Sequence, residues 1–213
     1  MKLYFNPISA FSRKALLAFY EKNISFESEI IDLLDEEAMT RFREINTIGK
    51  VPFLAIDDDL NLPESTTIIE LLDNRWPDKG ARLIPEDKEL ARQVRFWDRI
   101  GDLYLIEPMM FLFFKNKKPE AKRDIGRIDH SNRTLNTTLN MINRHLEDKT
   151  FFINEAFTLG DIATSSACRY LKLMGFSFGD WPNIDRWYNN IIERASWQRI
   201  IKESEPFIAK LMK

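Results

Sequence analysis

Hydrophobic positions recur along this chain with two different periods, and the change from one to the other divides it. In the first third, short apolar runs alternate with amphipathic ones. Leu3-Tyr4-Phe5 predicts a first strand, ended by Asn6-Pro7. Phe11, Ala15, Leu16, Leu17 and Phe19 then recur at helical spacing up to Lys22, with Ser9 or Ser12 as the cap. Arg13, Lys14, Glu21 and Lys22 are expected on the outward face of that helix, and Asn23 at its stop. Residues 26–31 read as a second strand, and 36–44 as a short polar helix capped by Asp35. A third strand is expected at 51–56, a hairpin turn at Asp57-Asp58-Asp59 and a brief fourth strand at 60–62. A helix over 65–75, stopped by Pro77, completes the series. The order βαβ, α, ββα predicts a thioredoxin-like sheet with one parallel crossover and one hairpin.

After residue 77 the strand signals stop. Residues 76–85 carry two prolines and a glycine and read as a linker, so the expected domains are 1–77 and 86–213, joined by 78–85. Residues 86–115 form one long helical run, with a kink expected at Pro108. Ile125, Ile128, Leu135, Leu139, Ile142 and Leu146 give a second run, at 119–148. Segments 158–174, 182–194 and 196–211 add further helices, so the second domain is expected to be an all-α bundle. Thr158 with Asp161 three residues on, flanked by Phe157 and Ile162, has the pattern of a capping box with a hydrophobic staple. Gly160 in that first turn would cost up to about 1 kcal/mol relative to alanine.

Composition narrows the functional classes. With 213 residues there is room for one large domain or two small ones with a real core, and 44% hydrophobic with 30% charged residues is ordinary for a globular protein. A net charge of -2 gives no global pull towards nucleic acid. Met1-Lys2-Leu3-Tyr4 runs straight into strand-like sequence without a signal peptide, and the most apolar run, 109–114, is too short to cross a bilayer. The single cysteine, Cys168, rules out an internal disulfide framework and suits a reducing, cytoplasmic compartment; its apolar helical neighbours mark it as packed. Two scattered histidines, His130 and His145, make no metal site, so no metal is expected. No HExxH, CxxC, P-loop or GxGxxG pattern occurs.

Candidate chemistry gathers around residues 45–54. Gly49 offers a turn, and Pro52 at the start of the third strand has no N–H to give a sheet. The backbone of Val51 can therefore face open space and pair with a short extended peptide. Shortly after, Leu62-Pro63-Glu64-Ser65-Thr66 reads as a helix start with a carboxylate beside the cap. Together these suggest a peptide-like ligand with a free amine and a free carboxylate.

Four segments, in this order, resemble the soluble glutathione transferases over essentially the whole chain. Asn46-Thr47-Ile48-Gly49-Lys50-Val51-Pro52-Phe53-Leu54 is similar to the family's NPxGKVPxL segment, with its cis-proline, and Glu64-Ser65 to its ES pair. Residues 157–163 resemble its capping-box helix, and Trp181-Pro182-Asn183-Ile184 with Trp187 its late segment. The resemblance implies glutathione as co-substrate. Val51 beside Pro52 would pair with the cysteinyl backbone, Ser65 would take the γ-glutamyl carboxylate, Glu64 the α-amine and Lys50 the glycyl carboxylate. Asp98 loosely resembles an acid that some classes present to the partner subunit's glutathione; its bland reading is an exposed helix carboxylate. A homodimer is also implied.

The implied reaction needs an ionised thiol, and three hydroxyls compete to stabilise it. Ser9 aligns with the catalytic serine that serine-type classes, bacterial, theta or delta, carry as GSxxxR, although Ile8 replaces the glycine and Ala10 the frequent proline. Tyr4 occupies the place of the tyrosine-type hydroxyl without the following Arg-Gly-Arg, and Ser12 is the third. Serines where thioredoxin-like redox proteins carry Cys-x-x-Cys disfavour dithiol chemistry. An apolar electrophile is expected between the domains, against Phe11, Leu34, Tyr104, Met109, Phe113 and Phe114. Conjugation is the first reading, with peroxide reduction as a side activity. The alternatives are a non-catalytic binding or regulatory module and a glutathione-dependent isomerase or dehalogenase.

Overall fold

The computed structural model describes residues 1–57, 61–115, 119, 123–153 and 155–211. The expected turn residues Asp58 and Asp59, the strand start at Leu60 and the lysines Lys117 and Lys118 lie outside the described residues. Two compact units emerge: Met1–Leu83 with Arg194–Lys213, and Ile84–Glu193.

The first unit is built on a four-stranded sheet of order β2-β1-β3-β4. β1 (Lys2–Phe5) pairs in parallel with β2 (Glu27–Ile30), while β3 (Phe53–Ala55) runs antiparallel to both β1 and β4 (Asn61–Pro63). The parallel pair requires a crossover, which α1 (Ala10–Glu21) supplies; α2 (Glu36–Ile45) and α3 (Ser65–Arg75) complete the predicted order. Successive strand residues point to opposite faces. Tyr4 and Phe53 therefore meet Phe42 of α2, Ile31 and Val51 on one face. Leu3 and Leu54 are fully buried with the apolar side of α1 on the other. This is the thioredoxin-like arrangement expected from the strand and helix order.

One expectation about α1 fails. Arg13, Lys14 and Lys22, placed on an outward face by the helical pattern, are all buried, while Glu21 is half-buried. α1 is covered by the sheet, by α3 and also by the last helix, α9 (Ala195–Leu211), so a single apolar stripe does not describe its surroundings. Buried cations persist only where partners hold them. Lys22 lies 2.8 Å from Asp73 of α3, whose carboxylate also accepts the Leu83 N–H. Arg13 stacks over Trp197, and Glu21 binds Arg194 and Ser196. At Gly80, with φ +61°, a Cβ would stand 2.3 Å from the Glu21 carbonyl, so the segment leaving α3 can touch α1 only as glycine.

The second unit is helical throughout its regular elements. α4 (Lys88–Ile100) runs into a π-helical stretch at Gly101–Ile106 and then into α5 (Glu107–Lys115). The distortion lies just upstream of Pro108, where the kink was expected. Proline cannot donate to the preceding turn, and the neighbouring Glu107 N–H bonds the Asp102 carbonyl five residues back. α6 (Ile125–His145), α7 (Leu159–Leu173) and α8 (Pro182–Ile192) complete the unit. Gly101 and Gly160 let α4 and α7 approach: a Cβ on the first would meet Ala163 Cβ at 2.9 Å, and on the second Trp97 Cβ at 3.0 Å. Thus the propensity lost at Gly160 is exchanged for close packing. The expected capping box is present. Asp161 accepts from the Thr158 N–H and hydroxyl and also from the Phe152 N–H and the Trp187 indole. Burial pushes its carboxyl up to about 6, against the pull of these four donors. Cys168 is buried within α7, and desolvation raises its thiol well above the usual range. No helix among the described residues is long and apolar enough to cross a membrane.

Candidate functional site

Two contacts between α1 and α3 fix the geometry of the site. Lys14 Nζ donates to Thr66 Oγ1 at 3.3 Å, and Lys22 Nζ meets Asp73 Oδ1 at 2.8 Å. Both helices advance together from one contact to the next, so they lie side by side and parallel. Their N-termini therefore open at the same end of the sheet. Each N-terminus presents unpaired N–H groups and a partial positive charge.

The two starts are finished differently. Ser9 is the N-cap of α1, and its Oγ accepts the Ser12 N–H at 3.2 Å. A hydroxyl has one hydrogen to give besides the bonds it accepts, so this cap keeps its donor for a ligand. By contrast, the N-cap side chain of α3 makes no capping bond. Its N-cap residue, Glu64, is exposed and sits at φ +77°, a conformation costing about 1–3 kcal/mol for a non-glycine residue. Ser65, the first helical residue, is 2% exposed. A buried, uncapped helix start next to a strained carboxylate-bearing residue is a ready anion site with an acid at its rim.

The loop from α2 to β3 supplies the third wall. Asn46, almost wholly buried, accepts the Ile48 N–H on Oδ1 and donates from Nδ2 to the Lys50 carbonyl at 2.9 Å. Its own carbonyl receives the Gly49 N–H, with Gly49 at φ +64°. This clamp delivers the chain to a cis Val51–Pro52 bond. The β1–β3 and β3–β4 pairings stop at Phe53, so the backbone of Val51 lies beyond the paired register. Lys50 projects at an exposed position beside it.

The other expected residues fall as follows. Tyr4 is buried among Phe42, Phe53 and Val51, with ring centroids 5.8 and 5.9 Å from the two phenylalanines. Ser12 is buried, and its Oγ accepts the Asn6 N–H at 3.1 Å. Phe11 is half-buried, and Leu34 is 74% exposed. In the second unit Tyr104 and Phe114 are exposed, Phe113 is half-buried against Tyr170, and Met109 is wholly buried. Asp98 on α4 is 1% exposed and is not the surface carboxylate of its bland reading. Sequence reasoning missed Lys14 and the clamp at Asn46. A lysine in an amphipathic helix gives no sign of burial, and an asparagine before a turn looks like any turn residue.

Comparison with known proteins agrees with this architecture. The model of the glutathione S-transferase N-terminal domain matches residues 3–80, and that of the C-terminal domain matches 104–195. Glutathione S-transferase F12 of Arabidopsis thaliana is 26% identical over 208 residues, covering 94% of this chain and 97% of that protein. Protein LigF of a Sphingobium strain is 25% identical over 243 residues, covering 96% and 94%. The crystal structure of a Methylobacillus flagellatus glutathione S-transferase with glutathione bound superposes with a TM-score of 0.87 at 29% identity, covering 93% of this chain and 98% of that one. With both domain models matched in order around a thioredoxin-like sheet and a helical bundle, the chain belongs to the glutathione S-transferase family.

Proposed function

We propose that this protein binds reduced glutathione across the starts of α1 and α3 and conjugates its ionised thiol to an apolar electrophile, with peroxide reduction as a side activity. The observation that carries the reading is the pair of parallel helix starts, one capped by a serine with a hydrogen to spare and the other buried without a side-chain cap. The γ-glutamyl carboxylate would take the N–H groups and hydroxyl at Ser65, and Glu64 the α-amine. The cysteinyl backbone would pair at Val51 beside the cis Pro52, and Lys50 would meet the glycyl carboxylate.

Sulfur then lies at the start of α1. A free thiol titrates near 8.5, and lowering that by two units takes about 2.7 kcal/mol of preference for the thiolate. A hydrogen bond to a charged acceptor gives about 1.5–3 kcal/mol, and a helix N-terminus about 0.3–1 more. Ser9 can supply both. Its rivals are buried where Ser9 is only half-buried, Tyr4 in the aromatic core and Ser12 beneath the Asn6 N–H that it accepts. The thiol proton leaves to solvent. The sulfur lone pair forms the new bond to carbon as the leaving group departs with its electrons. Phe11 and Leu34 offer this unit's apolar surface to the electrophile. A homodimer in the cytoplasm is the expected setting, in keeping with the single buried cysteine and the implied family arrangement.

The test is titration of the bound thiol in the parent, Ser9→Ala and Ser9→Thr, with turnover of a chloronitrobenzene and of an aryl ether. Ser9→Ala should still bind glutathione but titrate about a unit or more higher, and Ser9→Thr should restore the parent value. Ionisation in Ser9→Ala equal to the parent would transfer the role to Tyr4 or Ser12. Binding without turnover of any electrophile would favour a non-catalytic module.

A further inference from the structure

The sheet of the first unit ends at β2, and that edge is open. The Glu27 N–H donates to the Met1 carbonyl at 3.1 Å and the Ile31 N–H to the Phe5 carbonyl at 2.8 Å. In a parallel pair alternate residues bond the same neighbour, so Ser28 and Ile30 turn their N–H and C=O groups away from β1. On that side the sheet has no further strand among the described residues. Both residues are exposed, Ile30 to 47%. Such an edge is a template for another strand.

A groove of about 670 Å3 runs along the same edge. Leu16 and Phe19 of α1 line it together with Ile200 and Phe207 of α9. Ser28 and Ile30 share the sheet face of Leu3 and Phe5, the face that α1 covers, and they line the groove as well. Its two charged members answer each other: Arg199 lies 2.8 Å from Glu203, which also takes the Tyr20 hydroxyl at 2.6 Å. The groove thus favours apolar side chains. The other face of β2 differs. Glu27 and Glu29 stand there with Lys2, which lies 2.7 Å from Glu29, so the three carry one net negative charge.

We propose that the β2 edge binds an extended segment of another protein by strand addition, and that this segment alternates apolar residues with lysines or arginines. The main-chain groups of Ser28 and Ile30 pair with it. Its apolar side chains enter the groove beside α9, and its cations meet Glu27 and Glu29 on the opposite face. A second copy of this chain is the poorer occupant. Pairing β2 with its own copy sets Glu27 and Glu29 among like charges, which is destabilising. Glutathione plays no part in this contact, and none of these residues belongs to the site proposed above.

The experiment follows the fluorescence anisotropy of a labelled hexapeptide that alternates valine with lysine, capped at both ends. The controls are a valine–glutamate alternation and a peptide of the basic composition with its valines and lysines in separate blocks. The alternating basic peptide should bind at least tenfold more tightly than either control and should slow amide exchange at Ser28 and Ile30. Ser28→Pro removes an outward N–H while leaving the bonds to β1, and should weaken binding about tenfold. Glu27→Lys should weaken the basic peptide about fivefold and strengthen the acidic one. Thermal melts check that each variant is folded. No binding of the basic peptide at millimolar concentration, binding equal to that of the block peptide, or a folded Ser28→Pro that binds as the parent does overturns the proposal. If Ser28→Pro fails to fold, an unchanged preference in Glu27→Lys overturns it instead. A parent that binds the peptide but not glutathione sinks only the glutathione reading.

Discussion

Replacing Asp161 with alanine should nearly unfold the second unit, and the size of the loss follows from its bonds. One carboxylate oxygen accepts the Phe152 N–H at 3.0 Å and the Trp187 indole N–H at 3.1 Å; the other accepts the Thr158 N–H and hydroxyl, both at 3.0 Å. The side chain is fully buried, so no water stands ready to replace it. The hydroxyl can rotate to another acceptor, but two backbone N–H groups and the indole cannot. Each buried donor left unpaired costs about 1–3 kcal/mol. Allowing for some relaxation, Asp161→Ala should lose about 3–6 kcal/mol, much of the roughly 5–15 kcal/mol by which proteins are stable. For a chain of this size that is roughly a 10–20 °C fall in melting temperature. Urea unfolding followed by tryptophan fluorescence reads it directly, since Trp187 is one of the orphaned partners. The isosteric Asp161→Asn adds a check on sign. Burial holds the folded carboxyl at about 6, above the ordinary 3.8, so the native state binds the proton more tightly than the unfolded one. Its contribution is then fully present below about pH 4 and is lost as pH rises through 6. The stability gap between parent and Asp161→Asn should therefore be wider at pH 4.5 than at pH 7.5. A loss below about 1 kcal/mol in Asp161→Ala, or a gap that narrows in acid, would refute the reasoning.

Two further substitutions probe the first unit. Lys22→Met leaves the Asp73 carboxylate buried without its 2.8 Å partner and should cost about 3–5 kcal/mol, much of it recovered when Asp73→Asn is added, as a double-mutant cycle on urea midpoints would show. Glu64→Gly should relieve the strain at φ +77° and raise stability by about 1 kcal/mol while weakening glutathione binding at least tenfold, as calorimetric titration beside thermal melting would show; a loss of both would contradict the reading.

Much of the fold was legible because the short-range signals agree with one another. The helix at Ser65–Arg75 begins and ends where its pattern places it, and the Thr158–Asp161 box forms as its spacing implies. Asp35 caps α2 through the Glu37 and Ala38 amides. The candidate site could be named for a similar reason: Gly49, Pro52, Glu64 and Ser65 each impose a local backbone or charge constraint. Less visible were residues whose role depends on what arrives from far along the chain. Lys14, Lys22 and Arg13 look solvated on a helical wheel, and only α3 and α9 bury them. Asn143, on α6, similarly caps α8 by accepting the Asn183 and Ile184 N–H groups, with forty residues of chain between them.

The amino-acid order by itself determined where strands and helices form and that one sheet and one bundle follow each other, and it singled out residues 49–65 as the candidate recognition segment. These outcomes depend on interactions within a few residues, which periodicity and capping patterns record directly. Only the tertiary structure decided that α1 and α3 run parallel with their starts together, that three cations lie inside rather than outside, and that Asp161 serves Phe152 and Trp187 as well as its own cap. Burial and charge pairing are set by the third dimension, since the energy of a lysine or a carboxylate depends on which distant segment closes over it.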